Sequence, residues 1–283
     1  MRRLKAFDNV VSLLTLAYRD KSGLLGLIIV SLIALIGIIV PYLPLPYYDD
    51  TKFQRFSPPS LEHPFGTDHL GRDVFSRALW GARTSLIVGL VAAGIASLIG
   101  IILGAISGYW GGLVDEIIGR VIDIFLLIPG FFLALLLVAI YGSNIMLLVI
   151  VIGITTWPVT ARVMRAQVLS VKSLPYVEVA RALGSSNSRI LLIHIIPSAI
   201  QPVIALTVLQ IGSAIVIEAG LSYLGLGDPN FPSWGRIIYE GQLYILSAWW
   251  ITIFPALLLL ITILGFNLLG DFLYRVLTPK ARS

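Results

Sequence analysis

Cysteine is absent from the 283 residues, which rules out disulfides, thiol nucleophiles and thiolate metal sites. Charge is scarce as well. Only 12% of residues are Asp, Glu, Lys or Arg, where a soluble domain carries about 25%. With 57% hydrophobic residues, the chain cannot cover a soluble surface with polar groups. None of the five lysines follows a glycine, so the sequence has no GxxxxGK[ST] phosphate loop. The three histidines form no ligand pattern. Glu62, His63, Asp68 and His69 lie close together, but their spacing matches no standard metal site, and solvated loop residues are the expectation. No enzyme constellation is left.

The sequence does contain long apolar runs, each near the roughly 20 residues that a spanning helix needs. Six are expected: Leu24–Leu43, Ser85–Ser107, Val121–Ile140, Ile145–Arg162, Ile195–Ile217 and Ser247–Gly270. The third and fourth come from one charge-free stretch, 124–161, split at the turn signal YGSN, 141–144. The uncharged run from Ser22 to Tyr48 is too long for the apolar core of a signal peptide, so the first span reads as a retained anchor. Phe7, Val10, Leu14 and Tyr18 share one helical face, as in a helix lying along the inner interface within residues 1–22. The membrane domain is then 23–283, and no soluble piece is large enough to fold alone.

The net charge of +5 reflects membrane orientation, not nucleic-acid binding. With the N-terminus inside, 14 of the 20 Lys and Arg residues fall on the inner side and 6 on the outer. Both termini are therefore expected in the cytoplasm. The outer stretch 44–84, the inner stretch 163–194 and the outer loop 218–246 are the main non-membrane segments.

Ala92, Ala96, Gly100, Gly104 and Gly108 repeat every fourth residue of the second span. Small residues in register allow a second helix to approach to backbone contact. Packing within this chain is the primary expectation, and lining of a transport path the second. Asp68 with Arg72, and Asp73 with Arg77, are acid-first i,i+4 pairs that predict a short amphipathic helix before the second span. Asp123, Glu218 and Asp271 fall near span ends, where snorkelling or helix-end hydrogen bonding is expected. Thr155, Thr156, Gln201, Gln210, Ser213, Glu218 and Asn267 are polar residues that could face a passage.

The inner stretch YVEVARALGSSNSRILLIHIIP, 176–197, resembles the EAA loop of ATP-binding cassette (ABC) importer permeases. Glu178, Gly184 and Pro197 match its spacing. Val179 replaces the first alanine, His194 stands at the isoleucine position and Ile196 replaces the leucine. The residues themselves predict a short helix, a glycine that can take φ > 0 for a sharp turn, and a proline opening the next span. HPFGTDHLGRDVFSRALWGARTSL, 63–86, is similar to the stretch before the second span in the C-type permeases of dipeptide, oligopeptide and nickel importers. GYWGGLVDEIIGRVIDIFLLIPG, 108–130, LSYLGLGDPNFPSWGRII, 221–238, and NLLGDFLYRVLTPK, 267–280, continue the resemblance, with Tyr274 and Thr278 departing from the family's usual Arg and Asp.

The resemblance implies an all-α, six-span permease of the type I ABC importer fold in the plasma (inner) membrane. It would pair with a homologous second permease, two cytoplasmic ATPases that hold ATP and magnesium, and an extracytoplasmic substrate-binding protein. The chain itself would carry no cofactor and catalyse nothing. Glu178, Ala180, Arg181, Ala182, Leu183, Gly184 and Pro197 would form the ATPase-coupling segment. Asp68, Arg72, Asp73, Arg77, Trp234 and Arg236 would contact the binding protein or gate the outer side. Peptides are the first expectation for substrate, with oligosaccharides, nickel or glutathione as alternatives. An ion-gradient transporter would need a carboxylate relay at mid-membrane, which the sequence does not place there.

Overall fold

The computed structural model describes residues 20–278. The interfacial helix expected at 7–18 lies outside them. The described residues are mostly helical. Helix α1, Lys21–Ile39, ends in a 3-10 turn at Val40–Tyr42, and Asp20 caps its start by accepting from the Ser22 and Gly23 amides. Helix α2 runs from Val74 to Trp110, 37 residues, starting eleven residues before the expected span and ending three after it. Helix α5 covers Ile145–Lys172, α7 covers Gln201–Leu221 and α9 covers Trp250–Leu277. These five are long and apolar enough to cross a membrane.

The third expected span is corrected by the structure. It is two helices, α3 at Gly112–Leu127 and α4 at Gly130–Tyr141, bent by 81° at the break. The cause is local. Pro129 disfavours the helical conformation at the residue before it, and Ile128 is extended at φ −97°, ψ 123°. The turn at 141–144 falls where expected, with Gly142 at φ +94° and Asn144 accepting from the Leu147 amide to cap α5.

Helix α2 packs along almost the whole of α5, the most extensive pairing in the bundle. The small-residue seam makes this possible. A Cβ on Gly104 would fall on the carbonyl oxygen of Ala161, and one on Gly108 would press on Arg165 and Val168. The seam therefore serves packing within the chain. Helix α7 lies against α2 and α9, and α9 also packs on α1. At the α3–α5 junction, Arg165 grips Asp115 bidentately at 2.5 and 2.6 Å.

One end of the bundle is closed by a cap made from 44–73 and α8, Trp234–Gly241. The opposite end carries a short helix α6, Pro175–Ala182, then a turn and a helical run from Asn187 through Ala199 into α7. Pro197 thus sits inside a run already helical from Asn187, not at its start. That run includes a π-helical stretch at Ile190–Ile195.

Candidate functional site

Three features stand out: a cleft in the bundle, the helix–turn at one end and the cap at the other.

The cleft, of about 380 Å³, lies between the α3–α4 break, α5 and α7. Its volume falls within the range of small-molecule sites. Four of the polar residues singled out in the sequence line it: Thr155, Thr156, Gln210 and Ser213. The rest of its wall is apolar, with Phe125, Phe131 and Leu206 among the lining residues. Gln210 is held in place. Its Oε1 accepts from Thr160 at 2.9 Å and, more weakly, from Ser97 at 3.5 Å, while Thr207 and Ser97 share a 2.8 Å hydrogen bond. Buried polar groups are costly unless paired, so this network fixes the amide in one orientation. The sequence did not single out Ser97, Thr160 or Thr207, which lie on α2, α5 and α7 at positions too far apart in the chain for local spacing to show that they meet.

Gln201 and Glu218 do not line the cleft. Gln201 is exposed at the start of α7. Glu218 is buried, not snorkelling, and accepts from Ser222 at 2.7 Å and Ser85 at 3.2 Å, so it ties the end of α7 to α2. Asp123 pairs with Arg162 at 2.9 Å, and Asp271 is exposed.

In the helix–turn, Val177 is fully buried and Ala180 packs beside it on the cluster that holds Met164, Val168 and Ile190. Ala180 is thus small because its own chain crowds it. Glu178, Arg181, Ala182 and Gly184 are exposed, and Val179 and Leu183 present bare side chains at 57% and 81% exposure. Gly184 takes φ +78°. The Ser185 amide donates to Ala180 at 3.2 Å and the Gly184 amide to Arg181 at 3.0 Å, the paired bonds of a Schellman C-cap. Glu178 in the first turn of α6 complements the positive end of the helix dipole.

The cap corrects the helix expected at 68–77. Residues 68–73 are not helical, and Asp73 does not pair with Arg77. Asp73 caps α2 through the Ser76 amide at 2.7 Å and meets His63 Nδ1 at 2.7 Å. Arg77 turns instead to Asp68 at 2.7 Å and to Glu240 of α8 at 2.7 Å. Arg72 meets the same two acids, each at 2.6 Å, and Arg236 donates to Glu240 at 2.9 Å. Trp234 is fully buried and donates from Nε1 to the Ala78 carbonyl. Burial pushes the Glu240 carboxyl up, but Arg77, Arg72 and Arg236 outweigh it and hold the group down at about 2. The sequence reading missed Glu240. Its one local signal is the Arg236–Glu240 i,i+4 spacing on a short amphipathic helix.

The architecture is a multi-pass helical bundle with one bent helix pair, a largely apolar cleft carrying four polar side chains, and an exposed helix–turn, and the comparisons identify its family. Residues 100–283 match the family model described as binding-protein-dependent transport system inner membrane component, and the chain belongs to that family. It is 39% identical over 267 residues to the dipeptide transport system permease protein DppC of Alkalihalophilus pseudofirmus, covering 94% of this chain and 88% of the relative. It is 40% identical over 266 residues to the oligopeptide transport system permease protein OppC of Bacillus subtilis, covering 93% and 87%. Among solved structures, an inward-facing MetNI methionine ABC transporter chain matches with a TM-score of 0.57 at 18% identity, over 70% of this chain and 94% of that one. That likeness supports the type I importer permease fold.

Proposed function

We propose that this chain is one membrane half of an ATP-driven importer of di- or oligopeptides. It works with a homologous permease, two cytoplasmic ATPases and an extracytoplasmic binding protein. The cap end faces outward, the helix–turn end faces the cytoplasm, and both termini are inside. Peptides are the substrate class carried by the names of the relatives that match over nearly the whole chain. The uncharged wall of the cleft suits a solute that needs no fixed counter-charge in transit, and it offers a bare nickel ion only hydroxyl and amide oxygens.

The observation that carries the reading is the helix–turn. Val177 and Ala180 root α6 in the bundle, while Glu178, Val179, Arg181 and Ala182 of the same short helix, and Leu183 at its C-cap, are exposed. A rigid element anchored on one face and bare on the other fits the helix-in-groove mode of docking. Movement of an ATPase groove then shifts α6, and through the Met164–Ile190 cluster it biases α5 and α7, two of the helices that wall the cleft. ATP and magnesium reside on the ATPases, and this chain supplies the moving wall.

The test is uptake by the reconstituted assembly in proteoliposomes. ATP-dependent entry of a labelled dipeptide that requires the binding protein supports the reading. Entry driven by an ion gradient without ATP contradicts it. Preference for glutathione, nickel or an oligosaccharide under the same conditions leaves the machinery intact and overturns the substrate.

A further inference from the structure

We propose that the outer cap carries a carboxylate pocket, formed by Arg72, Arg77 and Arg236, that receives an acidic side chain of the docking binding protein. The proposal rests on the importer reading and names a contact within it. A small cavity of about 140 Å³ opens beside α8, lined by these three arginines with Tyr48, Asn230 and Phe231 among its other walls. It has space for about four waters, which a carboxylate on one or two methylenes would fill. It shares no lining residue with the mid-bundle cleft.

The guanidiniums have donors to spare. Each carries five N–H groups in a planar fork that suits a carboxylate. Arg77 is 3% exposed and bonds through one terminal nitrogen only, and its buried Nε has no partner. Arg72 uses Nε and one terminal nitrogen, and Arg236 uses Nε and one terminal nitrogen. The acids nearby are committed. Asp68 and Glu240 are buried in the ion cluster, and Asp228 accepts from the backbone amides of Ile145 and Asn230. Asp49 alone is loose. Its side chain is 69% exposed and stands 3.7 Å from Arg72, beyond hydrogen-bond length. It occupies the mouth as the chain's own weak competitor, and a partner's Asp or Glu would displace it. Charge at such a rim sets the docking rate and its salt dependence.

The experiment titrates the transporter's own binding protein onto the complete assembly in nanodiscs, with sodium acetate replacing sodium chloride at equal ionic strength. Acetate is expected to weaken docking to the unaltered assembly. Asp49→Asn, which removes the competitor, is expected to tighten docking about twofold, and Arg236→Gln to weaken it about fivefold and abolish the acetate effect. The acetate and Asp49→Asn arms read the pocket without disturbing the buried cluster. Docking indifferent to acetate and to both substitutions overturns the proposal. A raised KM for peptide in Arg236→Gln with docking unchanged also overturns it, and assigns the pocket to a substrate carboxylate. Failure of the unaltered assembly to bind the protein at all removes the importer reading itself, and the pocket's role with it.

Discussion

Arg77 and Glu240, 163 positions apart in the chain, meet at 2.7 Å in the cap. Through this pair the start of α2 is fastened to α8, and with Asp68 and Arg72 it forms a four-member cluster whose side chains are all at least 88% buried. A buried ion network is weak evidence of net stabilisation, but removing one member strands the others.

Glu240→Gln is therefore expected to destabilise the folded chain by about 3 kcal/mol at neutral pH. The pH dependence has a definite sign. The Glu240 carboxyl lies at about 2 in the fold, below its ordinary value of 4.5, so its contribution is complete above 4.5 and fades as pH falls toward 2. Thermal unfolding in detergent across that range checks it. The gap between Glu240→Gln and the unaltered chain should close on acidification, and a constant gap from pH 5 to pH 2.5 contradicts the assignment.

Gly104→Leu is expected to destabilise more than Leu103→Ala. At Gly104 an added side chain meets the Ala161 backbone and the Met164 side chain, and neither can retreat without parting α2 from α5. Overpacking of this kind costs about 3 kcal/mol. Leu103 is only partly buried, at the edge of the Ala96–Trp157 cluster. Equal melting temperatures for Gly104→Leu and the unaltered chain in detergent would contradict the packing role.

Orientation is checked by single cysteines, which the cysteine-free chain makes unambiguous. A cysteine at exposed Ser60 should react with an impermeant maleimide from outside in intact cells, and one at exposed Ser186 only after permeabilisation. The reverse pattern would invert the topology.

The spans were legible because lipid demands long apolar runs, and five of six expected helices match structural ones. Their lengths were not. Helix α2 begins at Val74, eleven residues before Ser85, because those first turns are covered by the cap instead of lipid and so carry Arg77 and Ser76. The break at Ile128 was written in the LIPG sequence, but the uninterrupted hydropathy of Val121–Ile140 concealed it. Gly184 was read correctly as a turn, since few other residues take φ +78° without strain. Arg77 was misassigned to Asp73 because helical spacing accounts only for neighbours in sequence, whereas Asp68 and Glu240 are brought to it by the tertiary fold. Four cleft residues were identifiable as polar islands in apolar helices, while Gln201 and Glu218, equally polar, belong to a helix start and a helix-end bond.

The most direct measurement of the account is ATP hydrolysis by the full assembly with and without substrate-loaded binding protein, comparing the unaltered chain with Gly184→Val and Glu178→Lys. Valine at φ +78° costs about 1–2 kcal/mol and redirects the chain after α6, and lysine at 178 places a positive charge at the positive end of the helix. Both variants should reach the membrane, lose uptake, and either shed the ATPases or hydrolyse ATP without responding to substrate. Hydrolysis that is undiminished and still stimulated by substrate in both variants would contradict the coupling role of the helix–turn.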